Sequence, residues 1–363
     1  MSQVTRPKLL KQIHAGVVKS QLDIEYESKV ELLEKMGGLL EINGQKYEVN
    51  LKDFEYLGFL GNGTCGHVMK MKHKPSGIIM VVKRKRRCNT CDVHEYQYKK
   101  MIIDLPIDLK TNDCQHIVQC FGFYFSGGLW VFMELMETSL IKLLKKCKGT
   151  IPEYILGKVT VAILKALTYL KEKHGVQHKN IKPCNIFLDT SGEVKLSDFR
   201  IPDRYLNIIN TDEYTLYAAP ERILLPNFPK SENYDRENVW SLGIILIELS
   251  TGVFPYRVCH TVFEAMAVIL KYTPSISPHA RLSPELRDFI DFCLIKDYQQ
   301  RPEYDELMKH PFFQKYAKFD CKTMSILAVS GFTKLYDNWS QAFNLWKTTN
   351  KRKIESITDS TSI

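Results

Sequence analysis

No apolar run in this chain of 363 residues approaches the ~18 residues needed to span a bilayer. The densest, LGIILIEL at 242–249, reads as part of a buried helix. The first residues, MSQVTRPKLLKQ, hold no continuous apolar stretch of signal-peptide type, so a cytoplasmic protein, with nuclear residence as a further option, is expected. Ten cysteines are scattered without a paired framework. Cys88 and Cys91 form a CxxC, but no second CxxC or nearby CxxH completes a zinc site, and ordinary reduced cysteines are the reading. No internal repeat is present. The excess of positive charge is modest, at +9, and suits acidic protein partners as well as nucleic acid. The densest basic run, KRKRR at Lys83–Arg87, reads as a solvated strand end and turn, with nuclear import as the weaker alternative.

What is present is a soluble globular composition, 44% hydrophobic and 25% charged, in a chain long enough for two packed lobes. A short helix around SKVELLEKM is stopped by Gly37 and Gly38. From 51 to about 125, apolar runs punctuated by glycine (FEYLGFLG, HVMKMKH, GIIMVVK and then LWVFMEL) predict a small sheet, with one helix near 92–110. Beyond 135 the pattern turns helical. Ile155, Val159, Ile163, Ala166 and Leu170 recur at helical spacing until Gly175, and ENVWSLGIILIELSTG is apolar on nearly every side. Further helices are expected near 261–272, 284–295 and 303–310. The expected fold class is α+β, a small sheet lobe followed by a larger helical lobe. Near the C-terminus Phe332, Leu335, Trp339, Phe343 and Trp346 form one helical stripe, read as packed on the body or on a partner helix rather than as a membrane anchor; 350–363 read as disordered.

The loop VQHKNIKPCN, Val176–Asn185, has the spacing of a phosphoryl-transfer catalytic loop, H-R-D-x-x-x-x-N, with Asn180 where the proton-accepting Asp belongs. Its surroundings support that reading. In GNGTCGHV, glycines at 61, 63 and 66 let backbone amides approach phosphate, although glycines also make hairpins. Lys83 ends the next strand, where it is equally a phosphate ligand or one more member of the basic run. Asp198, in SDFR, follows Asn185 as the carboxylate that magnesium bridging a triphosphate requires. Then come APE at Ala219–Glu221, the apolar helix, and Arg301 in DYQQRP. Singly each has a bland explanation; six in this order do not.

With INGQKYEVNLKDFEYLG, GTCGHVMKM, DCQHIVQCFG and IPEYILGKVTVAILKALTYLKEKHGV, the chain resembles the protein kinases, and within them the MAP kinase kinases of the branch that activates c-Jun N-terminal (stress-activated) kinases. The resemblance covers roughly 42–317. It implies a bilobal kinase fold: an N-terminal extension 1–50, a kinase domain 51–317 (lobes 51–135 and 136–317) and a C-terminal extension 318–363. It implies ATP and Mg2+ as cofactors, a MAP kinase and an upstream MAP kinase kinase kinase as partners, and neither nucleic acid nor membrane. By position, Gly61, Gly63, Gly66 and Val68 cover the phosphates and the base, and Lys83 meets the phosphates beside a helix acid, Asp104. Val81 is the roof of the base pocket, Phe187 its floor, Met133 the gatekeeper, and Glu134 to Met136 the hinge. Lys182 touches the γ-phosphate, Asn185 and Asp198 hold metal, His178 belongs to the loop, and Glu221 pairs with Arg301.

The departures are specific. Asn180 cannot take a proton, a loss that costs ~10²–10⁴ in rate. Lys179 replaces the Arg of the loop, Arg200 the Gly after Asp-Phe, and Asn238 the Asp that orients the loop backbone. Val81 and Phe187 are bulkier than the family's Ala and Leu, which predicts a narrowed or self-filled pocket. Pro106 lies in the helix that carries Asp104 and puts the Lys83–Asp104 pair in doubt. Thr211 and Thr215, flanking Asp212, Glu213 and Tyr214, are candidate phosphorylation sites. RPKLLKQI at 6–13 is a solvated tail or a docking peptide. The expected function is that of a pseudokinase or strongly impaired kinase acting by binding; the rival is an active dual-specificity kinase.

Overall fold

The computed structural model describes residues 21–63, 66–86, 111–147, 150–178, 180–189, 191–198, 215–224, 234–257, 261–277 and 282–318, with individual residues between 95 and 110 and at 259 and 280. Period-two patterning builds the small lobe. Seven strands, β1 (Leu39–Ile42), β2 (Gln45–Glu48), β3 (Phe54–Gly63), β4 (Gly66–His73), β5 (Ile79–Lys85), β6 (Cys120–Phe125) and β7 (Leu129–Glu134), form one sheet in the order β2-β1-β6-β7-β5-β4-β3. Every pairing in it is antiparallel. In β5, Met80 and Val82 are fully buried against Leu40, Ile42, Phe54 and Phe132, while Val81 and Lys83 line the cleft on the opposite face. A one-residue slip would exchange these sets, so burial on one face fixes which residues the cleft receives. The strand CFGFYF, β6, was not expected from the sequence; its glycine breaks the alternation. Gly122 (φ +152°) is required there, because a Cβ would lie 2.3 Å from the Leu39 carbonyl oxygen of β1.

The small lobe also draws in residues ahead of 51. The helix Gln21–Met36 is longer than the SKVELLEKM core predicted and buries Tyr26 and Leu33 against Tyr98, Met101 and Ile102. Lys99 Nζ lies 2.6 Å from Asp23, and Lys29 Nζ donates to the Ile103 carbonyl at 3.3 Å. The amide of Gly37 then closes on the Leu33 carbonyl, ending the helix.

The large lobe assembles around two helices. Glu153–His174 follows the predicted periodicity, with Ile155, Val159, Ile163, Ala166 and Leu170 all buried, and Gly175 caps it by donating to Lys171 O. Tyr234–Thr251 is buried from Val239 through Leu249 on nearly every side, as its uniform hydrophobicity required. The helices Val262–Lys271, Pro284–Cys293 and Tyr304–Lys309 lie within two residues of expectation. Pro311–Ala317 follows at once, with proline at its first turn. A three-stranded sheet, β8 (Thr138–Ser139), β9 (Ile186–Leu188) and β10 (Val194–Leu196), forms the floor of the cleft. The architecture is the bilobal α+β fold.

Candidate active site

The roof of the cleft is the β3–β4 hairpin. Its register pairs Gly61 with Val68 and Gly63 with Gly66. The two glycines with described surroundings differ in kind. A Cβ on Gly61 (φ +143°) would meet nothing within 4 Å, so this backbone opens onto the cleft. A Cβ on Gly66 (φ +106°) would lie 2.2 Å from the Arg84 carbonyl oxygen. Gly66 is therefore required by the packing of β4 on β5, whatever it does for a ligand.

Below the roof, β-sheet register sets Val68 opposite Lys83 and Val81 opposite Met133. Lys83 Nζ makes a 2.6 Å ion pair with Asp198 Oδ1, both partly buried. This contact joins the two lobes directly across the cleft. It was not expected, since sequence reasoning sought the Lys83 partner on the helix at Asp104, which lies outside the described residues. Asp198 holds φ +62°, a left-handed conformation that Asp tolerates and that aims its carboxylate at the cleft.

Hydrogen bonds hold the described residues of the catalytic-type loop around Asn180. His178 is fully buried. Its Nε2 donates to the Ser197 carbonyl at 2.9 Å, and its Nδ1 accepts from the Asn180 amide at 3.3 Å. Asn185, also buried, donates its side-chain amide to the Asn180 carbonyl at 2.9 Å, and its own carbonyl accepts from the Ser197 amide. Lys182, buried, lines the cleft with Asn185 and Asp198. The backbone of Asn180 is thus held from both sides, by His178 and by Asn185.

Burial pushes the His178 pKa down to about 4, against smaller opposing effects of the Ser197 carbonyl and the Asp198 charge. The unfolded chain takes up this proton near pH 6.5 and the folded chain only near 4, so between these values the unfolded state binds more protons. Stability from this group is intact above pH 6.5 and falls by up to about 3 kcal/mol as pH drops to 4. Urea unfolding across that window will show the decline. His178→Gln is expected to flatten it by one proton's worth; an unchanged slope would contradict the assignment.

The walls are hydrophobic. Val68, Val81, Val118, Met133, Met136 and Phe187 line a cleft of about 570 Å³ between the lobes. That volume lies within the usual range for small-molecule sites. Val81 and Phe187 both line this space. Glu134 turns its carboxylate onto Lys195 Nζ (2.7 and 2.9 Å) and the Gln119 amide (3.1 Å), so this side chain is already engaged. Sequence reasoning missed Lys70, Lys142 and Cys184, which also line the cleft. The alternation that places Val68 there could have found Lys70, two positions on.

Beyond the loop, Glu221 and Arg301 form a buried bidentate pair, Nη1–Oε1 2.6 Å and Nη2–Oε2 3.0 Å. Arg301 also donates to the carbonyls of Ile295, Arg236 and Lys296 and stacks over Trp240. Tyr217 and Ser241 add bonds that seat the segment Thr215–Leu224: Tyr217 Oη donates to Glu248 at 2.6 Å and Ser241 Oγ to the Tyr217 carbonyl at 2.8 Å. Asn238 donates Nδ2 to the Tyr304 hydroxyl at 2.8 Å. Burial, and then the nearby Asp235 carboxylate, raise the Tyr304 pKa, so this hydroxyl stays neutral and accepts the amide proton. Arg200 and Thr211, with Lys179 and Pro106, lie outside the described residues, as do Cys88, Cys91 and the terminal motifs; of Thr215 only the backbone, in the turn Thr215–Tyr217, is described.

A roof hairpin, a Lys–Asp pair across the cleft, a braced loop and a Glu–Arg platform are joined in one chain. A family model described as the protein kinase domain matches residues 54–313. This chain is a protein kinase family member. Among curated proteins it is 42% identical over 313 residues to human dual specificity mitogen-activated protein kinase kinase 7, covering 85% of this chain and 74% of that protein. It is 43% identical over 306 residues to the Drosophila melanogaster kinase kinase hemipterous, covering 82% of this chain and 25% of that one. With Caenorhabditis elegans mek-1 the identity is 36% over 307 residues, covering 83% and 85%. The kinase domain therefore belongs to the MAP kinase kinases. No helix among the described residues is long and apolar enough to cross a membrane.

Proposed function

We propose that this MAP kinase kinase family member acts in a stress-type cascade chiefly by binding, and transfers phosphate very slowly or not at all. The observation that carries the reading is Asn180: its backbone is held on both sides by hydrogen bonds, yet its side-chain amide cannot accept a proton from a substrate hydroxyl. Its partners are a MAP kinase seated on the Thr215–Leu224 platform and an upstream MAP kinase kinase kinase, met in the cytoplasm. The direct test is purified full chain with Mg-ATP and a stress-activated MAP kinase. Phosphate incorporation at the level of an active kinase kinase would overturn the reading. The second reading, a working dual-specificity kinase, is favoured by the retained Lys182, Asn185 and Asp198, and the same assay decides it.

The cleft residues fit nucleotide. Lys83 and Lys182 supply cations at the phosphate end and the apolar walls suit a planar base. Asn185 and Asp198 offer an amide and a carboxylate oxygen, a donor set suited to a magnesium ion that keeps waters and phosphate oxygens. When bound, magnesium would neutralise phosphate charge there. Asp198 would bring its carboxylate to that role beside Lys83, from which its Oδ1 already accepts. ATP at ten times its Kd is expected to stabilise the fold by about 1.4 kcal/mol, read as a rise in melting temperature. Magnesium should enhance the rise in the native chain and not in Asp198→Asn. No rise with millimolar ATP would remove nucleotide from the proposal.

A further inference from the structure

The basic run KRKRR is divided by the strand that carries it. Lys83 faces the cleft and pairs with Asp198, and Lys85 is buried. Arg84 leaves β5 on the opposite, outer face, and alternation sends Arg86, just past the strand, to that same side about 7 Å further on. The run is therefore not the solvated basic end that its composition suggests. Two of its cations are committed inward, and two guanidinium groups are turned outward.

Nothing in the protein neutralises that outward pair. The Arg84 guanidinium lies over the ring of Trp130, 4.4 Å from its centroid and directly opposite on β7. Trp130 Nε1 donates to the Ser126 carbonyl at 2.9 Å, which fixes the indole as a platform. Tyr124 of β6 stands opposite Trp130 in turn, so Tyr124, Trp130 and Arg84 form one row across three strands. Arg84 Nε is buried without a hydrogen-bond partner, and among the described residues no carboxylate pairs with Arg84 or Arg86. The Nη end reaches the glycine turn between β6 and β7, where a Cβ added to Gly127 would meet only Arg84 Nη2, at 3.9 Å. Burial, and then the charge of exposed Arg86, lower the Arg84 pKa. Like charges held together in this way gain from an anion placed between them.

We propose that Arg84 and Arg86, beside Trp130, form a binding site for a phosphorylated side chain of a partner protein. A phosphate monoester carries nearly two negative charges and three acceptor oxygens, which match two guanidinium groups; a carboxylate matches only one. Clustered arginines are a recurring means of reading such groups. Trp130 and Tyr124, both partly exposed, give the residues flanking the phosphate an aromatic shoulder. A nucleic acid would call for a longer stripe of cations than this pair. The site lies on the face of the sheet away from the cleft, so it stands apart from nucleotide binding and from phosphate transfer.

Fluorescence polarisation on the full chain tests this, with a labelled glycine–alanine peptide around one phosphoserine and its unphosphorylated twin as probes. The phosphorylated peptide is expected to bind at least roughly tenfold tighter, by a margin that shrinks as salt rises. Arg84→Gln and Arg86→Gln should each weaken it roughly tenfold, and Arg84→Lys nearly as much, since a point charge lacks the planar fork. Lys182→Gln, in the cleft, should leave it unchanged. The same peptide should shield Arg84 and Arg86 of the native chain from phenylglyoxal, an arginine-selective reagent, as read by mass spectrometry; this measurement depends on no variant folding. Equal affinity for the two peptides, loss with Lys182→Gln but not with Arg84→Gln, or absence of shielding each overturns the proposal. So does a single-stranded oligonucleotide that binds more tightly through the same arginines.

Discussion

Asn180→Asp is expected to raise phosphate transfer to a MAP kinase by roughly 10²–10⁴-fold, the ordinary worth of a positioned general base. The loop is ready for the substitution. The backbone amide of Asn180 is held by His178, and its carbonyl by the Asn185 amide, and neither bond uses the side chain. Asp is isosteric with Asn, so the geometry should survive and only proton acceptance be gained. Radiolabelled transfer in single turnover measures it. A gain under tenfold would place the limit on transfer at the Lys83–Asp198 contact or at the other departures in the site. The parallel restoration, Asn238→Asp, is not expected to help: a carboxylate there would face the Tyr304 hydroxyl without a proton to donate, close to Asp235.

Glu221→Gln is expected to destabilise the large lobe by about 3–5 kcal/mol, because it leaves the Arg301 guanidinium buried without its counter-charge. Few domains have more than about 5–15 kcal/mol to lose, so the change should appear as a large fall in the urea midpoint. Arg301→Lys should cost a similar amount, since an ammonium cannot reproduce the bidentate pair and the three carbonyl bonds together. Replacing both residues by apolar side chains of similar volume should recover much of the loss, as removal of a complete buried pair often does. Additive losses in that double variant would show that the carbonyl bonds, rather than the pair, carry the stability. Binding of a MAP kinase should fall with Glu221→Gln if the segment Thr215–Leu224 is the platform proposed.

The residues differ in how far sequence revealed them. His178, Lys182, Asn185 and Asp198 were legible because a catalytic loop is local: spacing along the chain is nearly spacing in space. Val81 and Lys83 were legible because strand alternation assigns faces. Gly66 was legible as a glycine but not for its reason, since the clashing atom belongs to Arg84 on the neighbouring strand. The strands β1 and β2 were missed since four-residue runs such as LLEI and QKYE carry too little pattern to stand out.

By itself, then, the sequence determined the kinase family and the two-lobed order of elements, both carried by periodicity and short-range spacing. Only the tertiary structure decided which partners the charged and polar groups take: Asp198 for Lys83, Tyr304 for Asn238, Lys195 for Glu134, and the Gln21–Met36 helix for the small lobe. The reason is physical. Packing and period are additive along a chain, whereas a buried charge or amide must be satisfied by whatever group the fold brings within about 3 Å, often from 60 or more residues away.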